Sequence, residues 1–172
     1  SRSCLFTAFA VQLFGGVLYL MAGSDLFDSQ AGDGLQPLAH GGFWTPLVLG
    51  LAALLGAWRL HLDNPPKAFD GLALQHFSQA LLAWGAAWWA LAWLGEVLRF
   101  APLRLQATWL LAVAAASVAL WTVLALRLKW PTLGLLCTLL IPAAGLVLLG
   151  AWHSRYHPAA DFGWLVWTSV FV

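Results

Sequence analysis

Long apolar runs alternate with short polar connections along the whole chain. An α-helix needs about 20 apolar residues to cross a membrane, because it rises about 1.5 Å per residue through about 30 Å of hydrocarbon. The runs lie at residues 4–23, 43–60, 72–98, 107–126 and 132–152, and another begins at 162 and continues to 172. The pattern predicts an all-α fold, a polytopic transmembrane helix bundle with five full spans and the start of a sixth.

The composition agrees with lipid as the solvent. Hydrophobic residues make up 62% of the chain, charged residues make up 9%, and the mean hydropathy is +0.81. A soluble domain has about 25% charged residues, so this chain has too few charges to cover a water-facing surface. The net charge of +1 gives no electrostatic basis for binding nucleic acid. The expected partner is therefore the lipid bilayer.

The 172 residues are enough for a single multi-helix membrane module over residues 1–172. The chain begins Ser1-Arg2-Ser3 and reaches Val172 inside an apolar run. We therefore expect the module to be an excised piece of a longer polytopic chain. Further transmembrane helices of that parent chain would be its protein partners.

Orientation follows from the lysines and arginines of the short connections, which favour the cytoplasmic side. The side of the N-terminus receives five of them: Arg2, Arg59, Lys67, Arg127 and Lys129. The opposite side receives three: Arg99, Arg104 and Arg155. This bias predicts a cytoplasmic N-terminal end, and it places the acidic connection at residues 24–42 outside.

Two prolines predict local features of the helices. Thr45 before Pro46 is typical of an N-cap followed by proline at the first helical position, which would start the second helix there. Pro142 lies within the fifth apolar run, where it removes a backbone hydrogen bond and crowds the carbonyl of Thr138. We therefore expect a bend between Thr138 and Pro142, with the Thr138 hydroxyl compensating part of the loss.

The third helix has two contrasting faces at 100° per residue. The polar and small face comprises Gln75, His76, Gln79, Ala83, Ala86 and Ala90. The large apolar face comprises Phe77, Leu81, Trp84, Trp88 and Leu91. Because small and amide side chains suit helix contacts, we expect the first face to meet protein and the second to meet lipid.

An intramembrane polar cluster is the first candidate site. It would combine Gln75, His76 and Gln79 with Gln12 of the first helix, either as a pocket or as hydrogen bonds that join helices. A candidate ion pair follows from Glu96 and Arg99, which are three residues apart near the end of the third helix. The ion pair would hold the helix end, and an ionisable residue at membrane depth is also a candidate functional group.

Other polar residues give weaker indications. Asp25 and Asp28 fit a metal-dependent or base-assisted transferase, but a solvated acidic loop explains them as well. His153 and His157 are four residues apart without a recognisable third ligand, so neither a metal nor a cofactor is expected. Cys4 and Cys137 lie in apolar runs, where cysteine acts as a small hydrophobic residue. No catalytic residue can be assigned.

Several stretches resemble a known family. They are FAVQLFGG at 9–16, LAWGAAWW at 82–89, EVLR at 96–99 and HPAADFGWLVW at 157–167. In order and character they resemble the large bacterial predicted-membrane-protein family known as domain of unknown function 2339. The resemblance implies a long, many-helix protein of the bacterial inner membrane, of which this chain is an internal part. It implies no reaction.

The leading functional hypothesis is therefore a non-catalytic helical module that packs against further helices of the same parent. The first alternative is part of a transporter or flippase for envelope lipids or glycans. The second is a membrane-embedded glycosyl or lipid transferase. Transport would need polar residues of several helices to converge at one depth, and a transferase would need convergent acidic residues beside a groove that lipids can enter.

Overall fold

The computed structural model describes residues 2–22, 36–62, 71–153 and 163–171. Within these ranges every regular element is an α-helix and no strand occurs, which confirms the all-α prediction. The helices are α1 (Arg2–Ala22), α2 (Gly41–Leu62), α3 (Gly71–Phe100), α4 (Gln106–Arg127), α5 (Pro131–Cys137), α6 (Leu140–His153) and α7 (Gly163–Phe171).

Three helices are long and apolar enough to cross a membrane: Gly41–Leu62, His76–Phe100 and Gln106–Arg127. These are the second, third and fourth spans expected from the sequence. The apolar part of α1 at Phe9–Met21 and the apolar stretch at Pro131–Val147 are shorter than a full span. The first and fifth full spans, and the start of a sixth, therefore stay predictions.

The chain forms two compact units, Ser1–Arg99 and Phe100–Val172. In the first unit, α2 and α3 approach each other closely at two glycines. A Cβ atom built on Gly50 would lie 3.0 Å from the carbonyl oxygen of Gly85, and one built on Gly85 would lie 2.9 Å from the carbonyl oxygen of Gly50. Ala53 and Ala57 on α2 are fully buried, as small residues at a helix contact are expected to be.

The second unit contains α4 to α7. Its buried cluster joins Leu111 of α4, Ala144 of α6 and Trp167 of α7. The small residues Ala116 and Ala119 of α4 are exposed. Ala112 and Ala115 are half-buried and Ser117 is buried, so within the described residues the small side chains of α4 are packed only in part.

The start of the second helix was predicted wrongly. Helix α2 begins at Gly41, so Pro46 lies inside the helix, and Thr45 is not its N-cap. The carbonyl of His40 accepts the N–H groups of Phe43 at 3.1 Å and Trp44 at 3.3 Å. The helix thus starts one turn earlier because His40 and the two following glycines supply its first turn.

The helix is interrupted just before Pro142, within the segment where the sequence predicts a bend. Residues between Pro131 and His153 form two helices instead of one, and the turn between them lies at Thr138 and Leu139. Their N–H groups donate to carbonyls three residues back, at 3.2 Å and 3.1 Å, instead of four. The Thr138 hydroxyl donates to the Leu135 carbonyl at 2.6 Å. The hydrogen-bond ladder therefore tightens where proline cannot continue it.

Candidate functional site

Four polar side chains of the first unit gather where α1 and α3 end and α2 begins. They are Tyr19, His40, Glu96 and Arg99, called here the polar centre. Three apolar helices that alternate in direction bring these positions to one end of the unit, although they are far apart in sequence. The site therefore depends on tertiary packing and not on any local motif.

Glu96 is the most buried charged residue of the centre, with its side chain 8% exposed. Its Oε1 accepts the N–H of Leu38 at 2.6 Å, and its Oε2 lies 2.9 Å from Nε2 of His40. The imidazole is itself only 7% exposed. A buried carboxylate is costly unless it is paired and hydrogen-bonded, and here each of its oxygens has a partner from the chain.

The turn before α2 is held in an unusual conformation. Leu38 has φ of 62°, in the left-handed region that glycine normally occupies. The N–H of Ala39 donates to the carbonyl of Gln36 at 3.2 Å, and Pro37 takes the second position, as in a type II turn. Leucine at the third position is strained by about 1–2 kcal/mol. The hydrogen bond from Leu38 to Glu96 offsets this strain.

Tyr19 links α1 to α2 through a carbonyl that proline leaves free. In a regular helix the carbonyl of Gly42 would accept the N–H of residue 46, but Pro46 has none. The Tyr19 hydroxyl donates to this carbonyl instead, at 2.8 Å. The ring of Tyr19 also meets that of Trp88 edge to face, with centroids 5.7 Å apart.

Arg99 lies beside the first turn of α2. Its Nη1 would be 3.4 Å from a Cβ atom built on Gly42, so glycine at this position lets the guanidinium approach the backbone. Below the centre, Phe43 and Trp93 pack edge to face at 5.2 Å within a buried cluster that includes Leu47 and Ala92. Ala92 and Trp93 lie one turn before Glu96 on α3, so this buried cluster adjoins the polar centre.

The predicted ion pair contains one of the two residues that pair in the structure. Glu96 takes part in a buried pair, but its partner at 2.9 Å is His40, which sequence reasoning missed. The pairing of Glu96 with Arg99 stays a prediction. The position of His40 in the sequence offered one indication. It directly precedes α2, and in a bundle of helices that alternate in direction the start of α2 lies at the same end as the end of α3, where Glu96 is found.

The members of the predicted intramembrane polar cluster differ in their exposure. His76 and Gln79 are exposed, Gln12 is half-buried, and the side chain of Gln75 lies outside the described residues. The Oε1 atom of Gln12 is buried without a hydrogen-bond partner among those residues. A function for this cluster, as a pocket or as hydrogen bonds that join helices, stays a prediction.

The expected orientation of α3 is wrong for Trp88. Trp88 was expected to meet lipid, but it is 2% exposed. Gly16 of α1 makes room for it, since a Cβ atom there would lie 2.6 Å from Cζ2 of Trp88 and 3.0 Å from Cζ2 of Trp84. Phe77 is half-buried, with its ring 5.1 Å from that of Phe9. The aromatic face therefore packs on α1.

The second unit has a shallow depression of about 550 Å³ between the end of α4 and α5, with Lys129 on its wall. The thiol of Cys137 lies 3.4 Å from the hydroxyl of Thr122 and 3.8 Å from the carbonyl oxygen of Val118. Cys137 is half-buried, and its expected role as a small hydrophobic residue stays a prediction. Asp25, Asp28, His157 and the side chains of Cys4 and His153 lie outside the described residues.

A carboxylate whose two oxygens both accept hydrogen bonds from its own chain is suited to fastening that chain. It is a poor base for an external substrate, because one of its bonds must first break. The polar centre therefore joins three helix ends and the turn before α2. No protein family, curated protein or solved structure matches this chain.

Proposed function

We propose that this chain is a helical packing module of a larger integral membrane protein, with no catalytic role of its own. The proposal rests on the hydrogen bonds of the Glu96 carboxylate. Its Oε1 binds the Leu38 N–H and its Oε2 binds His40, so both oxygens serve the fold. We further propose that the parent is a long inner-membrane protein of the bacterial kind that the chain resembles in its apolar, tryptophan-rich stretches.

The exposed surface of the first unit supports a lipid environment. Large apolar side chains are exposed on α1 and α2, among them Phe14 at 66%, Val48 at 57% and Leu55 at 58%. Such side chains would form a large apolar patch in water, whereas acyl chains accommodate them without cost. The three helices that are long enough to span agree with this location.

Reconstitution into lipid vesicles tests the packing role. The chain should resist extraction by alkaline carbonate, and it should transport neither protons nor fluorescent phospholipids faster than empty vesicles. Glu96→Gln keeps the shape of the side chain but replaces one acceptor oxygen with a donor. We expect it to lower thermal stability and to leave these fluxes unchanged, since a packing residue contributes only to the fold.

A transport role is the second candidate, and the buried His40–Glu96 pair favours it. Ionisable groups inside membrane proteins often mark ion or substrate pathways. If the pair serves transport, flux should exceed that of empty vesicles. Glu96→Gln should then abolish the flux without lowering the amount of folded protein. That result would replace the packing proposal.

We also propose that the N-terminal end faces the cytoplasm of a bacterial inner membrane. Five lysines and arginines against three in the connections support this orientation. After replacement of Cys4 and Cys137 by serine, a cysteine at Gln30 should react with an impermeant thiol reagent from outside, and one at Lys67 should not. The reverse labelling pattern would contradict the orientation.

A further inference from the structure

The depression in the second unit combines an apolar wall with one cationic side chain. It lies between the end of α4 and α5, opens at the surface and has a volume of about 550 Å³. Its lining is largely apolar and includes Leu126, Pro131, Gly134 and Cys137, and Lys129 also lines it. This depression is called here the α4–α5 groove.

The cation lies at the end of the groove that is nearest to the membrane surface. Helix α4 is long and apolar enough to span a membrane and ends at Arg127, and Lys129 follows in the connection to α5. Thr122, which also lines the groove, lies about 10 Å before Lys129 along α4, at about 1.5 Å per residue. The groove therefore extends from the level of the lipid head groups into the level of the acyl chains.

The sequence around the groove is positively charged. Between Glu96 and Asp161 it contains no acidic residue, but it contains five lysines and arginines. Two of these, Arg127 and Lys129, are exposed at the end of α4. Charge complementarity therefore favours an anionic occupant at this end of the groove.

Lys129 occupies a backbone position that usually belongs to glycine. Its φ is 51°, in the left-handed region. The N–H of Trp130 donates to the carbonyl of Ala125 at 2.9 Å, and the N–H of Lys129 donates to that of Leu126 at 3.4 Å. These two bonds form a Schellman motif, in which glycine at the left-handed position avoids strain. A strained residue whose side chain lines a groove is a candidate for function.

We propose that the α4–α5 groove binds an anionic phospholipid, with the phosphate at Lys129 and an acyl chain along the apolar wall. The lysine ammonium supplies positive charge and hydrogen-bond donors to the phosphate, and Arg127 adds to the attraction. A lipid of this class matches both ends of the groove, whereas a purely apolar helix would match only its wall. This proposal rests on the membrane location proposed above and on neither proposed role.

The thiol of Cys137 reports whether the groove is occupied, and in the Cys4→Ser chain it is the single thiol. In neutral detergent micelles, added phosphatidylglycerol should slow alkylation of Cys137 by N-ethylmaleimide, and phosphatidylcholine should slow it far less. Lys129→Gln should weaken the affinity for phosphatidylglycerol about 5-fold, the contribution of one lysine near anionic lipid. Equal protection by the two lipids would overturn the proposal.

Two further variants control for loss of charge and for loss of folding. Arg104→Gln removes the same charge from an exposed residue at the other end of α4, so it should leave the protection unchanged. Lys129→Gly should raise the thermal stability of the lipid-free chain, because it relieves the left-handed backbone, and it should still weaken the protection. An equal loss of protection in Arg104→Gln and Lys129→Gln would refute a site at Lys129.

Filling the groove tests where the acyl chain lies. A Cβ atom on Gly134 would meet nothing within 4 Å, so Gly134→Leu should enter the groove without displacing its walls. Gly150 on α6 is equally open and lies outside the groove, so Gly150→Leu is the matched control. Native mass spectrometry should show that Gly134→Leu loses bound phosphatidylglycerol and that Gly150→Leu retains it. Equal retention by the two variants would contradict the proposal.

The same assays separate a phospholipid from other occupants. Protection of Cys137 by inorganic phosphate alone would show that the site binds a free anion, and protection that appears without lipid when the chain dimerises would show that a helix covers the groove. Either result would overturn the lipid site. A chain that resists carbonate extraction but shows no lipid protection would remove the lipid site and leave the packing module standing, whereas a chain that carbonate extracts would remove both.

Discussion

Replacing Gly85 with alanine perturbs a close approach between the backbones of α2 and α3. The added Cβ atom would lie 2.9 Å from the carbonyl oxygen of Gly50, 2.9 Å from Cγ of Leu54 and 3.0 Å from the backbone nitrogen of Leu54. Two of these three atoms belong to the backbone, so no side-chain rotation can relieve the overlap. The helices must move apart, and the contacts on both sides of the crossing weaken together.

The magnitude follows from two opposing effects. Overpacking of a well-packed core costs about 1–3 kcal/mol, and backbone collisions belong at the upper end of that range. Alanine gains up to about 1 kcal/mol over glycine in helix propensity. We therefore expect Gly85→Ala to lower the free energy of unfolding by about 2 kcal/mol.

Gly56→Ala is the matched control on α2. Its Cβ atom would meet only Cδ1 of Leu81, at an ordinary 3.8 Å, so the variant should be neutral or slightly more stable. Reversible unfolding in mixed detergent micelles, followed by tryptophan fluorescence, measures both variants. If Gly85→Ala is as stable as Gly56→Ala, the close crossing of α2 and α3 is refuted.

The remaining predictions concern single side chains of the first unit, each measured by the same unfolding assay. Leu38→Gly should raise stability by up to about 1 kcal/mol, because glycine adopts a φ of 62° without strain; a loss would contradict the strained turn. Tyr19→Phe should cost about 1 kcal/mol, since the Gly42 carbonyl loses its donor. Trp88→Ala should cost about 3–5 kcal/mol because its indole is buried, whereas a lipid-facing indole would cost far less.

Helices α2 and α4 could be predicted as elements because a long apolar run is a local property of the sequence, although the start of α2 could not. The apolar run at 107–126 became α4 at Gln106–Arg127, and the run at 43–60 became α2 at Gly41–Leu62. The break before Pro142 was also predictable, since proline affects the turn that precedes it regardless of tertiary context.

The polar centre could not be predicted from local patterns. Tyr19, His40 and Glu96 belong to three helix ends that are distant in sequence, and only the packing of α1, α2 and α3 brings them together. Local spacing offered Arg99 as the partner of Glu96, three residues away. The buried carboxylate is instead paired with the imidazole of His40, 56 residues earlier.

The orientation of α3 shows why amphipathic faces are ambiguous in a membrane. An indole can meet lipid or protein at little difference in cost, so its burial depends on whether a neighbouring helix leaves room. Gly16 provides that room for Trp88. The prediction assumed that the small face of α3 packs against other helices. It did not consider that a small residue of α1, Gly16, could make room for the large face of α3.

A double-mutant cycle shows directly whether Glu96 and His40 fasten the helix ends together. It compares the free energies of unfolding of Glu96→Ala, His40→Ala and the double variant with that of the unaltered chain. The 2.9 Å contact between two buried side chains predicts a favourable coupling of about 1–3 kcal/mol. Each single variant should also be destabilised, because it leaves the other polar group buried without its partner. Additive effects of the two replacements, with no coupling, would contradict the claim that this pair fastens the helix ends.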